Sequence, residues 1–168
     1  MIKNIDRNYL EIKSLRDLVE AEAPQKECLV DLLKPENFKL NKFFYKNVGK
    51  NHHWVDRLVW SDKQWIEYST NLKVDTFILK VKEDLAGYFE MILHPSLNEI
   101  EIAYLGLLKE YHHKKLGSYL LSVAIKKSFE KKNISRVWVH TCSLDHKNAL
   151  KNYLSRGMTI FKKENINI

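Results

Sequence analysis

Cysteine is nearly absent from this chain. Cys28 and Cys142 are the two present, far apart and without the paired spacing of a metal site. That pattern excludes a disulfide framework and points to reduced thiols, expected to be buried in strands of a cytoplasmic protein. Long apolar runs are also missing, so no segment is expected to span a bilayer. The opening Met1-Ile2-Lys3-Asn4-Ile5-Asp6 lacks the apolar stretch of a signal peptide. Prolines number 3 and glycines 5, and neither gathers into a linker, a low-complexity tract or a repeat.

What is there is an ordinary globular balance. Of 168 residues, 45% are apolar and 29% charged, which fits one domain over residues 1–168 with a full core. The net charge of +7 raises the question of a nucleic-acid partner. The lysines are spread along the chain, however, and no nucleic-acid motif is present. A phosphorylated small ligand would equally account for a local basic patch. The adjacent histidines at 52–53 and 112–113 have poor ligand spacing, so no metal is expected.

Hydrophobic periodicity predicts strands at residues 9–13, 27–33, 74–81, 85–93, 99–108, 136–142 and 158–162. Ser14 reads as the cap of a helix that Pro24 ends. A second helix starts at Pro35 and stops at Gly49, and a third follows the capping box Ser61-Asp62-Lys63-Gln64. Helices over residues 114–131 and from an Asp145 cap to Gly157 complete a mixed α/β order. Between the early helices lies His52-His53-Trp54-Val55-Asp56-Arg57-Leu58-Val59-Trp60. Its aromatics and Asp56-Arg57 pair would suit either helix packing or the wall of a small polar ligand's site.

The central stretch is residues 100–121. An apolar strand feeds the basic turn Lys109-Glu110-Tyr111-His112-His113-Lys114-Lys115, and a helix opens at Leu116-Gly117-Ser118. A helix start offers free N–H groups and the positive end of its dipole, which is a ready site for a phosphorylated ligand.

From Thr76 onward the chain resembles the GNAT (Gcn5-related) N-acetyltransferases. Their cofactor loop reads Gln/Arg-x-x-Gly-x-Gly/Ala, and the equivalent here is His112-His113-Lys114-Lys115-Leu116-Gly117. His112 replaces the first position and Lys115 the first glycine. If that position needs a positive φ, Lys115 is strained or the loop takes another path. A second match, Asn148-Ala149-Leu150-Lys151-Asn152-Tyr153 followed by Gly157-Met158, resembles the family's Asn-x-x-x-x-Tyr-x-x-x-Gly-Phe helix.

The resemblance implies a fold. It is a mostly antiparallel mixed sheet of six to seven strands, splayed between the family's strands 4 and 5 and flanked by about four helices. It also implies acetyl transfer from acetyl-CoA, without a metal, to a primary amine of a small molecule such as an amino acid. Leu107 and Leu108 would border the pantetheine arm, with the N–H near Leu107 polarising the acetyl carbonyl. Gly106 would permit either a bulge or close packing. His112, His113, Lys114, Lys115, Leu116, Gly117 and Ser118 would hold the pyrophosphate, and Asn148 the arm. Tyr153 would protonate the leaving thiolate, and Glu101, with Glu99 on the same strand face, would be the base. Trp54, Asp56 and Arg57 would hold the acceptor. Related folds often pair as homodimers. The alternatives are a non-catalytic acyl-CoA sensor of the same fold and a basic nucleic-acid-binding module.

Overall fold

The computed structural model of the chain describes residues 3–24 and 27–168. Met1 and Ile2, part of the opening read above, lie outside the described residues. The strands are β1 (Asn4–Ile12), β2 (Cys28–Leu32), β3 (Val74–Val81), β4 (Asp84–His94), β5 (Glu99–Leu107), β6 (Arg136–Cys142) and β7 (Thr159–Asn167). The helices are α1 (Phe38–Gly49), α2 (Asp62–Ser69), α3 (Leu116–Phe129) and α4 (Ala149–Ser155). One 7-stranded sheet runs in the order β2-β3-β4-β5-β6-β1-β7. Neighbours are antiparallel except β5 and β6, which are parallel. No helix among the described residues is long and apolar enough to cross a membrane.

The two sheet faces carry separate cores. On one, α3 buries Leu116, Leu120, Leu121, Ala124 and Ile125 against Leu79, Phe89, Ile100, Val137 and Val139. On the other, α1 sets Phe44 and Val48 on Ile78 and Tyr88, with Trp54 and Tyr104 beside them. Phe44 and Tyr88 stack with ring centroids 4.9 Å apart. The seat of α1 is tight at Gly106, where a Cβ would lie 2.3 Å from Val48 Cγ1. Close packing is therefore why glycine stands at 106. The β5 bulge falls elsewhere: Glu90 faces Tyr104 while Met91 faces Ile102, which leaves Ala103 extra.

That extra residue changes which side chains face which core. Ile100 and Ile102 point to α3, and after Ala103 the same face takes Leu105 and Leu107. Tyr104 turns to the α1 side. A period-two strand cannot do this without an inserted residue.

Several expectations are corrected. Ser14 caps a single 3-10 turn at Leu15–Asp17, its Oγ accepting from the Arg16 N–H at 3.2 Å. Asp145 does not cap α4: Asn148 is the cap residue, and the Asp145 carboxylate closes the turn after β6. It accepts from Thr141 Oγ1 at 2.6 Å and the Cys142 N–H at 2.9 Å. β7 runs on past residue 162, because its polar tail pairs with β1 along its length. Cys28 and Cys142 lie in strands as expected but are half-buried, not buried.

Candidate functional site

β5 and β6 are paired at Glu99 and Arg136, Ile100 and Val137, and Glu101 and Trp138, and part beyond that. The splay thus lies between the fifth and sixth strands in chain order, one later than the family's numbering, because β1 comes first and inserts between β6 and β7. The parting strands open a cleft of about 370 Å³.

β5 forms one wall. The Leu108 N–H donates to the Ala86 carbonyl at 2.8 Å, and the Leu108 carbonyl accepts from the Tyr111 N–H at 2.9 Å. In an antiparallel ladder alternate residues turn their backbone groups to opposite sides. With Leu108 turned to β4, the N–H of Leu107 points into the cleft. The Leu107 carbonyl meets His112 Nε2 at 3.2 Å.

The floor is the start of α3. Lys115 precedes the helix at φ 60°, ψ 12°, and no side chain caps the first turn. Its leading N–H groups are therefore open to a ligand, and the 14-residue helix lends its dipole. His113 also has a positive φ, 61°. The loop follows a glycine-like path although lysine stands where the glycine motif would place it. Gly117 has room: a Cβ there would be 3.8 Å from Leu107 Cδ1 and 3.9 Å from Asn152 Nδ2, ordinary contacts. The protein's own packing does not demand that glycine, and the space would go to whatever occupies the cleft.

β6, the turn after it and α4 form the opposite wall. Tyr153 is buried there, and burial first, then Asp145, holds its phenol protonated well above the usual tyrosine range. Asn152 donates from Nδ2 to the Gly117 carbonyl at 3.2 Å, but its buried Oδ1 has no partner. An acceptor left open in this way suits an N–H donor of a bound ligand. His146 packs against His112 at 5.2 Å between ring centroids, His52 at 6.0 Å and His113 at 6.4 Å. Desolvation, then these neighbouring rings, lower the His146 pKa. No group of three or more His, Cys, Asp or Glu among the described residues could hold a metal ion.

The expected site residues separate into two groups. Trp54, Asp56, Leu107, His112, His113, Lys115, Leu116, Gly117, Ser118, Asn148 and Tyr153 all line the cleft. Leu108, Lys114, Glu101 and Arg57 do not. The Lys114 ammonium lies 5.6 Å from the centre of the Tyr111 ring, off the wall. Glu101 stands where β5 and β6 part, 3.4 Å from His94 Nε2. Glu99 is bound to Arg136 at 2.7 Å.

Arg57 is a structural residue. It is buried, with Nη1 2.9 Å from Oε1 of the fully buried Glu90. Tyr68 Oη donates to the same oxygen at 2.9 Å, and Asn41 Nδ2 donates to Oε2 at 2.7 Å. Tyr68, Tyr104 and Trp60 lie 3.9, 4.4 and 4.7 Å from the guanidinium. Burial opposes its charge, yet Glu90 leaves the pKa raised. The ion pair is with Glu90, not Asp56, and the nine-residue aromatic loop is anchored by it. Sequence reasoning missed Arg7, His140 and Asn152, which also line the cleft. Arg7 and His140 come from strands whose pairing no local pattern reveals. Asn152 was legible as the residue before Tyr153.

The comparisons agree with this geometry. The acetyltransferase (GNAT) family model matches residues 31–158, and the chain belongs to that family. A GCN5-related N-acetyltransferase from Sphaerobacter thermophilus superposes with a TM-score of 0.72 at 12% identity, over 97% of this chain and 50% of that protein. A second from Kribbella flavida gives 0.68 at 12% identity, over 99% and 58%. An aminoglycoside acetyltransferase from an uncultured soil metagenomic sample gives 0.64 at 13% identity, over 77% and 86%. At these identities the likeness is one of fold. The chain spans between half and three-fifths of the length of the first two. Comparison with curated proteins gives no match.

Proposed function

We propose that residues 1–168 act as one cytoplasmic acetyltransferase domain that moves the acetyl group of acetyl-CoA to a primary amine of a small molecule. The observation that carries this is the cleft between β5 and β6 with the uncapped start of α3 at its floor.

Each wall has a role in this reading. The first N–H groups of α3, with His112, His113 and Lys115, receive the pyrophosphate. The Leu107 N–H and Asn152 Oδ1 flank the pantetheine arm, with Asn148 at the α4 cap. Acetyl-CoA supplies an acetyl group already activated as a thioester. Trp54 and Asp56 hold the acceptor ammonium. His140 lies on the cleft wall, and desolvation and Arg7 lower its pKa, which keeps it neutral and able to take a proton at pH 7. Glu101, at the point where the strands part, favours the charge His140 then acquires. The amine nitrogen bonds to the acetyl carbon, the carbon–sulfur bond breaks, and the Tyr153 phenol gives its proton to the thiolate.

Calorimetric titration with acetyl-CoA tests the reading, paired with a thiol-release screen over small amines. Saturable binding and amine-dependent thiol release are expected. No binding up to about 1 mM would sink it.

A further inference from the structure

The cleft contains a cation that forms no ion pair among the described residues. Arg7 lies on β1 opposite Cys142 of β6, on the sheet face that carries Tyr9 and His140. It lines the cleft. Its Nε is buried and has no hydrogen-bond partner, and none of the ion pairs among the described residues includes it. The nearby carboxylates are committed elsewhere. Glu164, its cross-strand neighbour, accepts from Tyr9 Oη at 2.8 Å and pairs with Lys162 at 2.6 Å. The Asp145 carboxylate is held by Thr141 and the Cys142 N–H.

Arg7 is half-buried and feels the Glu164 charge across the strand, but its Nε is shut off from water with no acceptor, and a fork of N–H donors matches a carboxylate bidentately. Two ligands could bring an anion here, the cofactor and the acceptor. The cofactor's phosphates would bind at the start of α3. That helix packs on the face bearing Leu10 and Val139, and Arg7 points to the opposite face. His140, the proton acceptor in the reading above, shares the face of Arg7 and feels its charge.

We propose that Arg7 selects an acceptor that carries a carboxylate close to its amine, so that the substrate class is amino acids and related amino carboxylates. This rests on the transferase reading and narrows it. Arg57, the arginine expected for this task from sequence, is committed to Glu90.

The test pairs the common L-amino acids with their amides in a thiol-release assay, beside calorimetry with acetyl-CoA. The wild-type protein is expected to favour acids over matching amides by at least about tenfold in kcat/KM, chiefly through KM. Arg7→Gln should lose that preference, Arg7→Lys should keep part of it, and acetyl-CoA affinity should change less than about twofold in both. Equal use of acids and amides by the wild-type protein overturns the proposal, whatever the variants do. So does a preference that survives Arg7→Gln, or a tenfold loss of acetyl-CoA affinity in Arg7→Gln, which would assign the guanidinium to the cofactor. If no acid in the panel is acetylated, the CoA-bound protein is titrated with the N-acetyl amino acids and their amides. Saturable binding of the acids alone supports the proposal, and any other result ends it. Failure of acetyl-CoA to bind at all is a different outcome and removes the transferase reading itself.

Discussion

Lys115 adopts φ 60°, which costs a side chain with a Cβ roughly 1–2 kcal/mol, while glycine would lose about 0.5–1 kcal/mol in chain entropy. Lys115→Gly is therefore expected to raise the unfolding free energy by about 0.5–1 kcal/mol in urea denaturation, with Lys115→Ala nearly neutral. Equal effects of the two would refute the strain argument. Tyr153 gives the second prediction at this scale. Its buried phenol stays protonated through the neutral range. Tyr153→Phe should lower kcat about a hundredfold with acetyl-CoA affinity nearly unchanged, as steady-state thiol release and calorimetry would show. Both residues were legible in the sequence because their motifs are local. The partner of Arg57 was not legible for the opposite reason: Glu90 lies 33 residues away.

At the scale of elements, the histidines from the α1–α2 loop, the α3 loop and the β6–α4 turn meet at the cleft. Lys147 is the charged side chain that acts on His146, and the Asp145 carboxylate beside it is held by its turn. In the free protein His146 is pressed toward its neutral form. A bound polyanion favours the protonated form, so the complex takes up protons and affinity must rise as pH falls. Acetyl-CoA binding is expected to tighten about three- to tenfold from about pH 7.5 to about pH 5.5, with His146→Gln flattening the dependence. Calorimetry in buffers of different ionisation heat would reveal the proton uptake, and proton release would contradict it. The meander β3–β4–β5, the α2 capping box and the strand–loop–helix around Gly117 could be read from the chain, since neighbours in sequence make them. The insertion of β1 between β6 and β7 could not, because both pairings are long-range.

In the molecule as a whole, the buried Glu90 carboxylate joins β4 to α1 through Asn41, to α2 through Tyr68 and to the aromatic loop through Arg57. Removing one member leaves a buried charge without its partner. Arg57→Ala should cost about 3–5 kcal/mol of stability, whereas Arg57→Met combined with Glu90→Leu should cost less than either change alone. Chemical denaturation of the singles and the double would decide it, and additive costs would show that the pair is not coupled. The sequence displayed the charges and rings of this network but not their convergence, which needs the sheet to be assembled.

The extra residue at Ala103 works like a shift of reading frame along β5. Upstream of it, odd positions serve the α1 face. Downstream, even positions do. Deleting that one alanine would leave the later letters as they stand, whereas drawing it into the regular ladder would rewrite every one of them. Tyr104 would be read into the aliphatic core under α3, Leu105 would face Trp54, and the backbone that now offers the Leu107 N–H to the cleft would offer its neighbour's instead.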